Sequence, residues 1–156
     1  MRIAHYQPHY ASAIAELFTL AVHAIDEAIY NQAQKAAWAP KPVDVAQWQK
    51  RLAQTQPFVL LIEQQVAGFM ELEQHGHIDC AYVHPTYQRQ GVASALFEQV
   101  RQVATRKQLT QLTVEASLVA TPFFEKLGFT VTNQNKVVRK SLVLINNSMS
   151  LKIKDS

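Results

Sequence analysis

One cysteine, four glycines and no long apolar run: this 156-residue sequence is first described by what it has little of. The lone Cys80 cannot close an intramolecular disulfide, which fits a reducing, cytoplasmic setting. The longest strongly apolar stretch, Phe58 to Ile62, is far too short to cross a bilayer, so no membrane role is expected. The opening residues, Met1 to Pro8, lack the apolar centre of a secretory signal. Glycine is too sparse for the dinucleotide pattern Gly-x-Gly-x-x-Gly or a Walker loop, and neither occurs. A Gly-x-Ser-x-Gly elbow and a His-Glu-x-x-His helix are also missing. Charge is low, at 17% of residues against 48% hydrophobic, and that balance excludes a disordered chain. The length fits one domain over residues 1–156.

The net charge of +3 is small in sum but uneven in place. Residues 1–88 hold five basic and eight acidic side chains, a balance of −3. Residues 89–156 hold ten and four, a balance of +6. An isoelectric point near 9.1 would permit nucleic-acid binding. Yet the basic residues are scattered, and no zinc-finger or RNP signature accompanies them, so no nucleic-acid partner is expected. The split instead describes a later half suited to an anion and an earlier half suited to a cation.

Periodicity divides the chain into alternating elements. Residues 1–7 read as a short strand ended by Pro8. Ile14, Leu17, Phe18, Ala21, Val22 and Ile25 recur at three- and four-residue steps, the stripe of an amphipathic helix. Gln32 to Trp38 is a second helical stretch, stopped by Pro40 and Pro42. Residues 43–54 make a third, with Val45, Trp48 and Leu52 on one side. Strands follow at Phe58 to Ile62, Val66 to Gln74 and Ile78 to Val83, the last two joined at His75-Gly76. A helix from about Gly91 to Arg106 turns Val92, Leu96, Val100 and Val103 inward. Leu109 to Ala116 is a strand, and Pro122 to Leu127 a short helix ended by Gly128. Phe129 to Thr132 and Val137 to Leu151 read as the two final strands. The expected class is α/β, of the mixed α+β kind.

The segment from Tyr82 to Ala93 is the most informative. A strand enters a turn, and the turn opens a helix at a glycine. The first N–H groups of a helix have no internal partner, and the helix dipole makes that end positive. Such an end holds phosphate when the backbone can come close, and Gly91 and Ala93 are small enough to allow it.

Gln88-x-x-Gly91-x-Ala93 after Tyr82-Val-His-Pro85 resembles the pyrophosphate-binding signature of the GNAT superfamily of N-acetyltransferases. Ala120-Thr-Pro-Phe-Phe-Glu-Lys-Leu-Gly-Phe129 is similar to the second cofactor segment of that superfamily. Tyr30-Asn-Gln-Ala-Gln34 and Ala37-Trp-Ala-Pro40 are similar to its small bacterial YafP-like members. The resemblance implies the GNAT fold: a central, mostly antiparallel mixed sheet of about six to seven strands with about four helices. It implies acetyl transfer from acetyl-CoA to a primary amine of a small molecule or protein, by direct attack in a ternary complex. Backbone groups at Ala81, Tyr82 and Val83 would bond the pantetheine amides. Gln88, Arg89, Gln90, Gly91, Val92, Ala93 and Ser94 would hold the coenzyme A pyrophosphate, through backbone N–H groups from Arg89 onward. Ser117 stands where members commonly carry an Asn three residues before Ala120, in contact with pantetheine.

Phe124 departs from the family pattern. It stands where a Tyr usually protonates the leaving thiolate, and Phe has no proton to give. Catalysis would then rest on proximity and on polarisation of the thioester carbonyl by a strand N–H. The same departure favours a rival reading, a module that binds or senses acyl-CoA with little turnover.

An attacking amine must lose a proton, and a carboxylate or His can take it. Glu71, Glu73, His77 and Asp79 flank the His75-Gly76 turn. A three-residue loop, Gln74 to Gly76, would put all four on one face, with Asp79, Glu73 and His77 as candidate bases. A two-residue loop would split the set. His75-x-His77-x-Asp79 has a superficial metal look, but Gly76 interrupts it, and no metal is expected. Cys80 has no evident base partner and reads as a packed residue. His23, Asp26 and Tyr30 fall on one side of the first long helix, where family members line the acceptor pocket, and Trp38 adds an aromatic wall. Monomer and homodimer both remain open.

Overall fold

The computed structural model describes residues 1–153. Seven strands form one mixed sheet: β1 (Arg2–His5), β2 (Phe58–Ile62), β3 (Gln65–Leu72), β4 (His77–Val83), β5 (Gln111–Ser117), β6 (Thr130–Arg139) and β7 (Leu142–Lys152). Their order across the sheet is β1-β2-β3-β4-β5-β7-β6. All neighbours run antiparallel except β4 and β5, which run parallel. A parallel pair needs a crossover, and the fifteen residues of α4 (Val92–Arg106) supply it. The other helices are α1 (Ala11–His23), α2 (Gln32–Trp38), α3 (Val45–Thr55) and α5 (Thr121–Lys126). No helix among the described residues is long and apolar enough to cross a membrane.

Strand alternation sends successive side chains to two different cores. Leu60, Met70 and Ile78 meet Val92, Leu96 and Val100 of α4 and Phe124 of α5. Val59, Leu61 and Phe69 meet Ile14, Leu17 and Phe18 of α1 and Leu52 of α3. Gly68 on β3 lets α4 lie close, because a β-carbon there would stand 2.7 Å from Val92 Cγ1 and 3.0 Å from the Tyr82 carbonyl.

Local chemistry sets the helix ends on the second face. Asn31 and Gln34 cap α2 reciprocally, each side chain bonding the other residue's backbone N–H at 2.8 Å. Asp44 caps α3 through the Gln47 N–H at 3.0 Å. The buried Lys35 ammonium donates to the His23 and Ile25 carbonyls at 3.2 and 2.7 Å, placing a cation at the C-terminal end of α1.

The last two strands differ from the sequence reading. The turn falls at Lys140-Ser141, so β6 runs through the polar stretch 133–136 and β7 begins at Leu142. Both turn residues adopt positive φ, 47° and 68°, without a Gly or Asn to announce it. The first long helix also stops at His23, so Ile25 lies beyond it.

Candidate active site

Two features of the backbone create an opening. β4 and β5 pair only at His77 with Thr113 and at Ile78 with Val114, then part. Beyond that point Ala81, Tyr82 and Val83 bond β3 on one side and leave their other edge towards the gap. At the top of β4 the chain turns through Pro85–Tyr87 and reaches α4 by way of Arg89 (φ 63°) and Gly91 (φ 81°). A β-carbon on Gly91 would meet nothing within 4 Å, so the N-terminus of α4 faces open space. Val92 is buried against Gly68 and anchors that end of the helix. Arg89, Gln90, Gly91 and Ser94 are exposed around it.

The gap opens into a cavity of about 1140 Å³, lined by Asp79 to Tyr82 of β4 and Val114 to Ser117 of β5. Phe18, Trp38, Trp48 and Tyr82 form one wall, and Glu115, Asn135, Asn146 and Arg139 form part of another. Ser117, Ala120 and Phe124 border it where β5 meets α5.

A polar network closes one corner. The Arg51 guanidinium donates to Glu71 at 2.6 and 3.3 Å, to Asp79 at 2.9 Å and to Cys80 Sγ at 3.0 Å. Glu71 is only 1% exposed and also accepts from the Thr55 hydroxyl at 2.7 Å. A register shift between Met70 and Leu72 lets Asp79 and Cys80 both reach this face. Burial, and then the Glu71 charge, push the Cys80 thiol far above its ordinary range. Burial likewise raises the Tyr82 phenol, so both groups stay protonated at neutral pH.

The chain matches the acetyltransferase (GNAT) domain model over residues 26–151. It belongs to the GNAT acetyltransferase family. The assignment makes it an acyltransferase. The chain is similar to the uncharacterized N-acetyltransferase YafP of Escherichia coli K12, with 36% identity over 137 residues, 88% of this chain and 86% of that protein. A GCN5-related N-acetyltransferase from Rhodopseudomonas palustris superposes with a TM-score of 0.91 at 28% identity, covering 97% of this chain and 94% of that one. The PaiA N-acetyltransferase of Thermoplasma acidophilum, solved with coenzyme A, shares the fold at a TM-score of 0.76 and 15% identity, covering 97% and 99%.

Within this GNAT chain Val83 and the candidates at the start of α4, Gln88 to Ser94, do not line the cavity, and the remaining candidate residues fall into three groups. The first borders the gap and cavity: Ala81, Tyr82, Ser117, Ala120, Phe124, Trp38 and Asp79 all line it. The Ser117 hydroxyl is already engaged, accepting the Ala120 N–H at 3.0 Å.

The second group lies on the hairpin beside the cavity. Glu73 N–H donates to the His77 carbonyl at 2.8 Å, so the loop is the three residues Gln74 to Gly76. Glu73, His77 and Asp79 each bring a donor atom within 4.8 Å of one another. Glu73 and His77 are not among the cavity-lining residues, and His77 Nδ1 pairs with the Thr113 hydroxyl at 2.8 Å.

The third group holds the fold together. His23 Nε2 bonds the Ala39 carbonyl at 2.8 Å, and Asp26 accepts the Ala28 N–H at 2.9 Å. Neither lines the cavity: His23, the last residue of α1, is tied to the Ala39 carbonyl, and Asp26 lies beyond the helix end. Tyr30 does line it, but it lies past the end of α1 and is 2% exposed. Its hydroxyl donates to the Ile145 carbonyl at 2.6 Å and accepts the Leu118 N–H at 2.9 Å.

Four charged cavity residues, Asp44, Arg51, Glu115 and Arg139, were not singled out by the sequence. Arg51 sits twenty residues before Glu71, on a helix whose packing partner no local pattern names. Glu115 alternates with buried Val114 and Ala116 and reads as a solvated strand face. In the fold it accepts from the Asn135 amide at 2.9 Å and from the Ser148 hydroxyl at 2.5 Å.

Proposed function

We propose that the protein transfers the acetyl group of acetyl-CoA to a primary amine of a small molecule or protein, by direct attack in a ternary complex. The observation that carries this is the parted β4–β5 pair, whose facing edges line a carboxylate-bearing cavity and whose first strand leads through a turn to an open helix N-terminus. The α4 terminus, with Gln88, Arg89, Gln90, Gly91, Val92, Ala93 and Ser94, would hold the pyrophosphate. The free edge at Ala81, Tyr82 and Val83 would hold the pantetheine arm, delivering the thioester between Phe124 and Asp79.

The amine nitrogen then attacks the thioester carbonyl carbon. The C–S bond breaks, coenzyme A leaves as the thiolate, and the second proton that the nitrogen gives up as the amide forms passes through water to that thiolate or to solvent. The proton lost by the ammonium passes to a cavity carboxylate, Asp79 or Glu115, directly or through water. Asp79 is held by Arg51, whereas Glu115 is held by neutral donors alone among the described residues. With Phe124 in place there is no phenol at that position, and the Thr121 hydroxyl of α5 donates to the Ser117 carbonyl at 2.8 Å; the thiolate leaves readily because free thiols have pKa values of about 8.5. One domain over residues 1–156 acting in the cytoplasm accords with the single cysteine.

Initial rates with acetyl-CoA and amine both varied are expected to give intersecting lines. Parallel lines would mean a covalent acetyl-enzyme and would overturn direct attack. Coenzyme A is expected to raise the melting temperature of the wild type and not of Gly91→Val. An equal shift in both would remove the loop from the site.

A further inference from the structure

We propose that the acceptor is a small amine carried on a flat aromatic body, of the arylalkylamine type, rather than a polyamine or a lysine side chain. This rests on the acetyl-transfer reading above and names its substrate class.

A continuous run of rings carries the argument. Trp48 and Phe18 have centroids 4.9 Å apart, Phe18 and Tyr82 4.8 Å, Tyr82 and Trp38 6.3 Å, and Trp38 and Tyr30 5.4 Å. All five line the cavity, so the run crosses from α3 over α1 and β4 to α2. The chain has only two tryptophans, and both are in this wall. Both are half-buried, leaving ring surface for a ligand to cover. Offset and edge-to-face arrangements with a further ring are the favoured way to cover it.

Charge selects against the alternatives. Of the carboxylates that line the cavity, Asp79 is paired with Arg51 and Asp44 caps α3, which leaves Glu115 to meet one ammonium group. Arg51 and Arg139 line it too, and a linear polyamine would bring further cations against those guanidiniums. A peptide acceptor needs a groove open at the side. Here Tyr30 bonds the Ile145 carbonyl and Gln34 Nε2 bonds the Val143 carbonyl at 2.9 Å, strapping α2 to β7. The strap closes the side between α2 and β7 to a passing peptide chain.

Because both tryptophans face the cavity, their emission reports occupancy without turnover. Adding 2-phenylethylamine to the coenzyme A-bound protein is expected to change that emission saturably, whereas spermidine and a lysine-containing peptide leave it unchanged. In turnover, kcat/KM for 2-phenylethylamine is expected to exceed that for n-hexylamine by about tenfold. Trp48→Leu should lower kcat/KM for 2-phenylethylamine about fivefold more than for n-hexylamine, removing most of that preference. Trp38→Leu provides the same test if the first variant does not fold. Better use of spermidine or peptide, or equal losses for both amines, would overturn the proposal. Acetylation of n-hexylamine as efficiently as 2-phenylethylamine would sink this inference alone. Failure of coenzyme A to bind would sink the transfer reading beneath it.

Discussion

The two faces of the sheet use the same alternation for opposite ends. Towards α4, Leu60, Met70, Ile78, Val92, Leu96 and Leu112 are each at most 1% exposed and fill their space with one another. Towards α1 and α3, Phe69 and Leu52 are buried as completely. Beside them, however, stand Arg51, Glu71, Asp79 and Cys80, and a cavity is left between aromatic and polar walls. Apolar spacing alone closes the first face. The second is held open by partners that come from distant parts of the chain, and that is where chemistry has room.

Substitutions can separate the faces. Leu96→Ala on the closed face should cost the most stability, about 4 kcal/mol, through lost burial and a residual cavity. Urea unfolding measures it, and coenzyme A affinity of the folded protein should stay within about threefold. Arg51→Ala on the open face follows at about 3 kcal/mol, because Glu71 is left buried with only the Thr55 hydroxyl. Adding Glu71→Gln should recover most of that loss; no recovery would mean that Arg51 acts through packing instead.

Smaller effects test the chemistry. Glu115→Gln keeps an acceptor for Ser148 and Asn135, so the melting temperature should hold while kcat/KM falls about tenfold. An unaffected rate would leave the proton to Asp79 or water. The wild-type rate should rise with pH as the acceptor ammonium deprotonates, without an alkaline fall from a phenolic acid at position 124. Phe124→Tyr should raise kcat by no more than about tenfold and introduce that alkaline limb. The smallest effect belongs to Arg101→Ala. Its pair with Glu98 on α4 lies in solvent, and the melting temperature should not move.

How much was legible in the sequence follows the same division. The α4 helix shows its inward stripe at Val92, Leu96 and Val100, and its start is marked by Gly91, so both position and orientation can be read locally. The three-residue loop after Glu73 was one of two alternatives, settled by the Glu73–His77 backbone bond. The Lys140-Ser141 turn was not readable, since neither residue is of the kind that favours positive φ. Tyr30 was placed near an acceptor by helical spacing, but its hydroxyl is taken by Ile145 and Leu118, over a hundred residues and some ninety residues away. Arg51 and Glu115 were invisible for a related reason. A charged residue on an amphipathic element looks solvated until the opposite element is known.

The most direct test of the central claim follows thiol release from acetyl-CoA with and without 2-phenylethylamine. The account predicts release that depends on the amine and saturates with it, and that is lost in Gly91→Val. Release no faster than background hydrolysis across aromatic, aliphatic and peptide amines would contradict it.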